Sequence, residues 1–367
     1  MKYYLIAGEA SGDLHGSNLM KGLKAEDPEA EFRFWGGPMM ASVGGSMVHD
    51  YKEGAVMGIT DTIAKLPRLL SNLARCKADI LAWKPDVVIL IDYPGFNMKI
   101  ARFCHEQGIR VFYYIAPKTW ASREGRNRQL REWVDRLFII FPFEIPYFSA
   151  KGIPFTYKGN PLIDAVDSHI YQKVTDAHYI ALLAGSRKGE ISRMMPPCME
   201  VADRLGCKVI VAGAPSRDIS DYAPYINGRS NVEVLFGRTY DILKYADAAI
   251  INSGTASLEA ALIGTPQLVC WSTSPITAFI AQHVLKVMEH IKYISLGNLC
   301  LDKLAFKEFI QNDFTADNVC GELERILKDS AYRESMLADY SAIRQALGGS
   351  GASSAVARAM IAALRGE

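Results

Sequence analysis

Short, unbroken apolar runs alternate with stretches of helical spacing along almost the whole chain. Residues 3–7, 87–91, 111–115 and 137–140 read as strands of a first half, and 179–183, 209–211, 248–251 and 267–270 as strands of a second. A strand that is apolar at every position is buried on both faces. Such strands, separated by helices, imply parallel sheets covered on both sides. The pattern predicts an α/β fold of two Rossmann-like, doubly wound domains facing a cleft. A polar stretch after Gly159-Asn160-Pro161 marks the boundary, giving domains over 1–165 and 166–349. The tail reads as helices over 317–328, 331–347 and 353–364, the last two broken apart by Gly348, Gly349 and Gly351. The C-terminal helix, within 350–367, is expected to pack back on the first domain.

Composition narrows the function classes. The chain has 367 residues, 49% of them hydrophobic, enough to bury two cores. Its net charge of +1 lacks the basic excess of a general nucleic-acid binder, so no nucleic-acid partner is expected. Cysteines stand at 76, 104, 198, 207, 270, 300 and 320, an odd number with no Cys-x-x-Cys pair, which predicts reduced thiols. The N-terminus enters its first strand directly, with no signal-peptide pattern. No apolar stretch approaches the roughly 20 residues of a spanning helix, so the chain is expected to be soluble or to rest on a membrane. His283 and His290 lie seven apart and His15 stands alone, which gives no metal-ligand spacing and no Ser-His-Asp triad.

Ligands of open parallel sheets sit beyond the carboxyl ends of the strands, and four motifs fall there. Gly8-Glu9-Ala10-Ser11-Gly12-Asp13 joins the first strand to a helix; it suits an anion at a helix N-terminus, and equally a tight turn capped by Ser11 or Asp13. Asp92, in Ile91-Asp92-Tyr93-Pro94-Gly95-Phe96-Asn97, is a candidate general base for a hydroxyl. It reads as well as a turn residue, with Asn97 as a helix cap. Gly185-Ser186-Arg187-Lys188-Gly189-Glu190 suits a diphosphate, with Arg187 donating bidentate hydrogen bonds. In Asn252-Ser253-Gly254-Thr255-Ala256-Ser257-Leu258-Glu259, Ser253 or Thr255 would cap a helix whose free N–H groups face phosphate. Glu259 there can accept from ribose hydroxyls or simply complement the helix dipole.

Two further stretches are less specific. Leu66, Leu69, Leu70, Leu73, Ile80 and Leu81 form a stripe at helical spacing, read first as a core face and second as a membrane-resting face. Arg123, Arg126, Arg128 and Arg131 form a basic run that suits either a phosphate or solvent.

These motifs, with Val56-Met57-Gly58-Ile59 and Ser295-Leu296-Gly297-Asn298-Leu299, occur in the order of the lipid-A-disaccharide synthases, which the chain resembles from residue 1 to about 345. The resemblance implies a GT-B fold and an inverting transfer. It joins UDP-2,3-diacylglucosamine to 2,3-diacylglucosamine 1-phosphate, with no metal and no cofactor. It makes Asp92 the general base, places Glu9, Ser11 and Asn298 near the reacting sugars, and gives Arg187 and Glu259 the donor nucleotide beside Ser253, Gly254 and Thr255. It further implies a cytoplasmic enzyme in peripheral contact with inner-membrane lipids, with homodimerisation left open. Three motifs depart from the family's usual forms: Pro117-Lys118-Thr119-Trp120-Ala121-Ser122 at Lys118 and Ser122, the Asp92 motif at Gly95, and the Ser295–Leu299 motif at Gly297. The rival expectations are a UDP-sugar 2-epimerase-like enzyme and a non-catalytic regulator that binds a nucleotide sugar.

Overall fold

The computed structural model describes residues 1–55, 65–121, 124–273 and 292–366. Val56-Met57-Gly58-Ile59, Ser122, Arg123, His283, His290 and the side chain of Leu66 lie outside the described residues. The chain forms two compact units, Met1–Ala165 with Leu347–Glu367, and Val166–Ala346.

The first unit holds β1 (Lys2–Ala7), β2 (Glu31–Gly36), β3 (Ser46–Asp50), β4 (Val87–Ile91), β5 (Val111–Tyr114), β6 (Arg136–Ile139) and β7 (Thr156–Tyr157). They form one parallel sheet in the order β3-β2-β1-β4-β5-β6-β7. Its helices are α1 (Ala10–Glu26), α2 (Pro38–Val43), α3 (Lys52–Ala55), α4 (Lys65–Trp83), α5 (Pro94–Glu106), α6 (Arg126–Trp133) and α7 (Glu144–Ala150), with α8 (Pro161–Asp167) crossing the unit boundary.

The second unit holds β8 (Ile180–Leu183), β9 (Val209–Gly213), β10 (Val232–Phe236), β11 (Ala248–Asn252), β12 (Gln267–Trp271) and β13 (Glu308–Ile310), parallel in the order β10-β9-β8-β11-β12-β13. Its helices are α9 (Lys188–Leu205), α10 (Ala223–Ile226), α11 (Thr239–Tyr245), α12 (Thr255–Ile263), α13 (Leu296–Leu301), α14 (Ala316–Lys328) and α15 (Ser330–Leu347). The last helix, α16 (Ala352–Arg365), belongs to the first unit and packs on α1, where a Cβ on Gly22 would lie 2.9 Å from that of Ala357.

The central strands are buried along their length. Every residue of β4 and β5 is buried, as pairing on both edges and helices on both faces require. One face of the first sheet, carrying Tyr4, Ile6, Val88, Leu90 and Tyr113, packs with Leu73, Cys76 and Ile80 of α4 and with Ile100 and Cys104 of α5. The stripe on α4 is thus largely a core face, while Leu70 (54% exposed) and Leu81 (45%) project outward. Arg33 binds both carboxylate oxygens of Asp79 at 2.8 and 2.6 Å, tying β2 to α4.

In each sheet the chain starts in the middle, builds one side, then crosses to the other. The reversal falls between β1 and β4 in the first unit and between β8 and β11 in the second. At such a switch point the two loops leaving the strand ends run in opposite directions and leave a crevice.

Candidate functional site

In the first unit, the loops that follow β1 and β4 lie side by side, because Ala7 pairs with Ile91 across the switch point. The first carries exposed Glu9 as N-cap of α1, whose first turn holds half-buried Ser11; the second carries Asp92. Asp92 and Tyr93 both take left-handed backbone conformations, with φ of 44° and 48°. A side chain in that region is strained, so neighbours must hold it. The Asp92 carbonyl accepts from Asn97 Nδ2 at 2.7 Å and from Tyr113 Oη at 2.6 Å. Asn97 is fully buried within α5 and does not cap it; its amide also donates to Ile91 at 3.2 Å and Ile6 at 3.4 Å. The Tyr93 ring fills the space where a Cβ on Gly8 would stand, so glycine is needed there.

Burial raises the Asp92 carboxyl above the usual carboxylate range; Lys118 draws it back, Glu9 raises it further, and the Tyr93 N–H bond lowers it. A half-buried carboxyl with a raised pKa at a strand end is what general-base chemistry on a hydroxyl requires.

Asp13 has another task. Its carboxylate accepts from the backbone N–H of Gly37 (2.9 Å), Met39 (3.0 Å) and Met40 (2.9 Å), holding the start of α2. Neither Asp13 nor Ser11 caps α1.

The C-terminal end of β6 is also tightly built. Buried Glu144 accepts from the N–H groups of Ile140 (3.2 Å) and Phe141 (3.0 Å). The ring of Trp120 meets Phe143 edge-on at 4.9 Å, and Phe143 stacks on Phe141 at 5.1 Å. Asn160 of the boundary motif donates to Ile140 at 3.0 Å.

In the second unit, Arg187 follows β8 and Ser253 follows β11, again on adjacent strands. The two loops touch through Gly185: at φ 96°, its added Cβ would lie 2.6 Å from Asn252 Nδ2. The start of α9 already holds an anion of the chain's own. Glu190 Oε2 accepts from Ser186 N (2.9 Å) and Arg187 N (3.2 Å), while Oε1 takes Arg187 Nη1 at 3.1 Å. The start of α12 differs. Its N-cap is Gly254, with no side-chain cap. Neither Ser253 nor Thr255 caps it, because Ser253 Oγ donates to Ile294 at 3.3 Å. The N–H groups of the first turn therefore have no capping side chain in front of them.

Glu259 receives Tyr240 Oη at 2.9 Å, and burial raises its carboxyl pKa against the lowering effect of that bond. Tyr240 was not legible as a site residue; only its place in the first turn of α11, just after β10, signals it. Asn298 finds its partners within its own segment. It is fully buried, donates to Phe306 O (3.0 Å) and Glu308 Oε1 (2.8 Å), and accepts from Ala305 N (2.8 Å) and Phe306 N (3.3 Å). Its amide holds its own loop.

Two doubly wound units with built loops at both switch points define a GT-B-like fold. Solved structures of that shape include the UDP co-structure of S. aureus MnaA (TM-score 0.71, 14% identity, covering 99% of this chain and 97% of that one). Another is CalG4, the calicheamicin glycosyltransferase (TM-score 0.59, 15% identity, covering 100% and 98%). At those identities the likeness shows the fold alone.

The family itself comes from the sequence. Residues 3–360 match the model of the Lipid-A-disaccharide synthetase family, and the chain belongs to it. The lipid-A-disaccharide synthase of Geobacter metallireducens is 36% identical over 96% of this chain and 94% of its own length. That of Myxococcus xanthus is 35% identical over 97% and 96%. The 2-epimerases, such as that of Neisseria meningitidis bound to UDP-GlcNAc (TM-score 0.70, 13% identity, covering 98% and 100%), are neighbours in fold only.

Burial pushes the Glu144 carboxyl up to about 7, although the Phe141 and Ile140 N–H groups pull it down. The folded state thus holds a proton that the unfolded chain releases near pH 4.5, so this group's stabilising contribution fades as pH rises from about 4.5 through about 7. Glu144→Gln keeps an acceptor for both N–H groups and removes the titration. Melting temperatures measured from pH 5 to 8 are expected to show a flatter slope for the variant; an identical slope in both proteins would refute the assignment.

Proposed function

We propose that the chain condenses UDP-2,3-diacylglucosamine with 2,3-diacylglucosamine 1-phosphate, giving the β-1,6-linked lipid A disaccharide 1-phosphate and UDP. Family membership over 3–360 carries this reading. The raised, half-buried Asp92 at the first switch point is the structural observation that supports it.

In this reading the acceptor belongs to the first unit and the donor to the second. Asp92 takes the proton of the acceptor 6-hydroxyl, whose oxygen attacks the anomeric carbon of the donor. The bond to the diphosphate breaks with inversion, and UDP leaves. Glu9 and Ser11 flank Asp92 and orient the acceptor, while Lys118 limits how far the Asp92 pKa climbs. The start of α12, which follows Ser253 and runs from Gly254 and Thr255, offers the diphosphate the uncapped N–H groups of its first turn, while the Ser253 N–H is held by Cys270 O at 3.1 Å. Arg187 adds a guanidinium, and Glu259, positioned by Tyr240, accepts from the ribose. Asn298 stays in the reading as the residue that holds its own loop beside the site, through Phe306 and Glu308.

No described helix is long and apolar enough to cross a membrane. Both substrates are diacylated, so the reading includes a peripheral contact with the cytoplasmic face of the inner membrane. Exposed Leu70 and Leu81 on α4, near Arg75 and Lys77, support it.

Three measurements test these assignments. Asp92→Asn removes the base and keeps the shape, so kcat is expected to fall by roughly 10²–10⁴-fold, with UDP affinity and melting temperature unchanged. A rate within a few-fold of the parent would end the catalytic role of Asp92. Because burial raises this carboxyl, the parent's rate should decline on the acid side at a higher pH than an ordinary aspartate gives. Arg187→Ala is expected to weaken UDP binding by about 1.5–3 kcal/mol; calorimetry showing equal affinity would remove Arg187 from the donor site. Flotation with anionic liposomes should recover the protein at low salt and lose it as ionic strength rises. Active enzyme that stays unbound at low salt would overturn the membrane contact.

A further inference from the structure

In the second unit, Glu259 gives one carboxylate oxygen to the chain and keeps the other. Tyr240, in the first turn of α11, donates its hydroxyl to Glu259 Oε1 at 2.9 Å. Among the described residues no hydrogen bond takes Oε2, which leaves that oxygen for a ligand's hydroxyl. Burial works against the charge that such a donor prefers, and the Tyr240 bond works for it. Whatever holds Tyr240 therefore bears on what Glu259 can bind.

A phenol hydroxyl keeps a fixed place only where packing fixes its ring. His169 supplies that packing: its ring meets Tyr240 edge-on, with centroids 5.2 Å apart and planes at 72°. His169 is itself held twice. Its Nε2 lies 3.0 Å from Oδ1 of buried Asp241. An ionised carboxylate only accepts, so the nitrogen facing it carries a proton. The Tyr171 ring meets His169 edge-on at 4.8 Å, and Tyr171 Oη is anchored on Val166 O at 3.0 Å.

Asp241 ties this arrangement to α11. Its Oδ1 also accepts from Gln172 N at 2.9 Å, and its Oδ2 pairs with Arg238, whose Nη2 reaches Gln172 O at 3.1 Å. Residues 169–172 and the start of α11 thus form one closed set of bonds. Tyr240 and Asp241 are adjacent, so the same helical turn carries the phenol and the carboxylate that places its support. The His169 side chain is 34% exposed, so it adds little apolar burial to the core. Its contacts go to Asp241, Tyr171 and Tyr240 instead.

We propose that His169 is a positioning residue for ribose recognition, acting through Tyr240. Asp241, His169 and Tyr240 hold Glu259 in place to accept from the hydroxyls of a nucleotide's ribose, and so make the second unit select an intact ribose over a deoxygenated one. The assignment rests on the donor reading above and deepens it, because it gives the selectivity to residues that need not touch the nucleotide.

The test titrates the full chain calorimetrically with UDP and with 2′,3′-dideoxy-UDP, in the absence of acceptor. The parent is expected to favour UDP roughly 10- to 100-fold. Tyr240→Phe keeps the ring, removes the hydroxyl, and should lower that preference roughly 10-fold. His169→Gln keeps a donor for Asp241, removes the ring, and should lower it roughly 3- to 10-fold. Affinity for the dideoxy nucleotide should stay at the parent's value in both. The double variant should lose no more than Tyr240→Phe alone, since both changes act on one hydroxyl. An unchanged preference in His169→Gln, an equal loss for both nucleotides, or additive losses in the double variant overturns the proposal and leaves the ribose role of Glu259 standing. Equal affinities of the parent for the two nucleotides overturn that role, and the role of His169 with it.

Discussion

The carbonyl oxygen of Asp92 holds the first unit's switch point together. Two left-handed residues in succession cost free energy at the end of β4. Asn97 and Tyr113 offset that cost by donating to the same oxygen at 2.7 and 2.6 Å. Because the Asn97 amide also reaches Ile91 and Ile6, one buried side chain joins the ends of β1 and β4. The consequence is directional. With its main chain fixed, Asp92 cannot relax into an ordinary turn, and Tyr93 is driven over Gly8. Side chains hold the carbonyl, while the carboxylate accepts from the Tyr93 N–H and feels the charges of Glu9 and Lys118.

The two units use one topology for opposite electrostatics. Under the proposed function, the strand ends of the first present carboxylates, Glu9 and Asp92, to a hydroxyl substrate, and those of the second present helix N-termini to an anion. The structure distinguishes two loops there that look alike in sequence. Both Gly185-Ser186-Arg187 and Ser253-Gly254-Thr255 read as phosphate loops. Glu190 already occupies the amides of the first, so an arriving diphosphate would compete there with a tethered carboxylate. Of these two loops, the one leading into α12 is followed by a first turn without a capping side chain. Arg187 can still contribute through its guanidinium, reached from the side and not through the helix start.

The middle of each sheet was legible because its strands are buried on both faces and carry no polar residue to break the run. The strands missing from the apolar pattern, β2, β3, β7, β10 and β13, lie at or next to sheet edges. Edge strands expose one face and alternate: β10, Val-Glu-Val-Leu-Phe, keeps only Val232 buried. Site residues followed the same logic. Asp92 and Arg187 could be singled out because strand ends place them, whereas Asn298 was singled out by motif likeness, and its contacts hold its own loop. Asp13 and Glu190 looked like ordinary polar loop residues. Their tasks, capping α2 and filling the start of α9, depend on contacts that periodicity does not encode.

The departures from the family's motifs have different physical weight. Gly297 is a packing requirement: an added Cβ would lie 2.9 Å from the Phe306 ring and 3.2 Å from Ile343. A larger residue there needs a different ring position at 306, so the change is internal to α13 and its neighbours. Lys118 acts on the chemistry, since its charge opposes the rise that burial and Glu9 impose on Asp92. Gly95 opens space instead: a Cβ there would meet nothing within 4 Å, at the start of α5 and close in sequence to Asp92. The three substitutions therefore act on three separate properties, namely packing beside Phe306, the charge near Asp92 and the room at the start of α5.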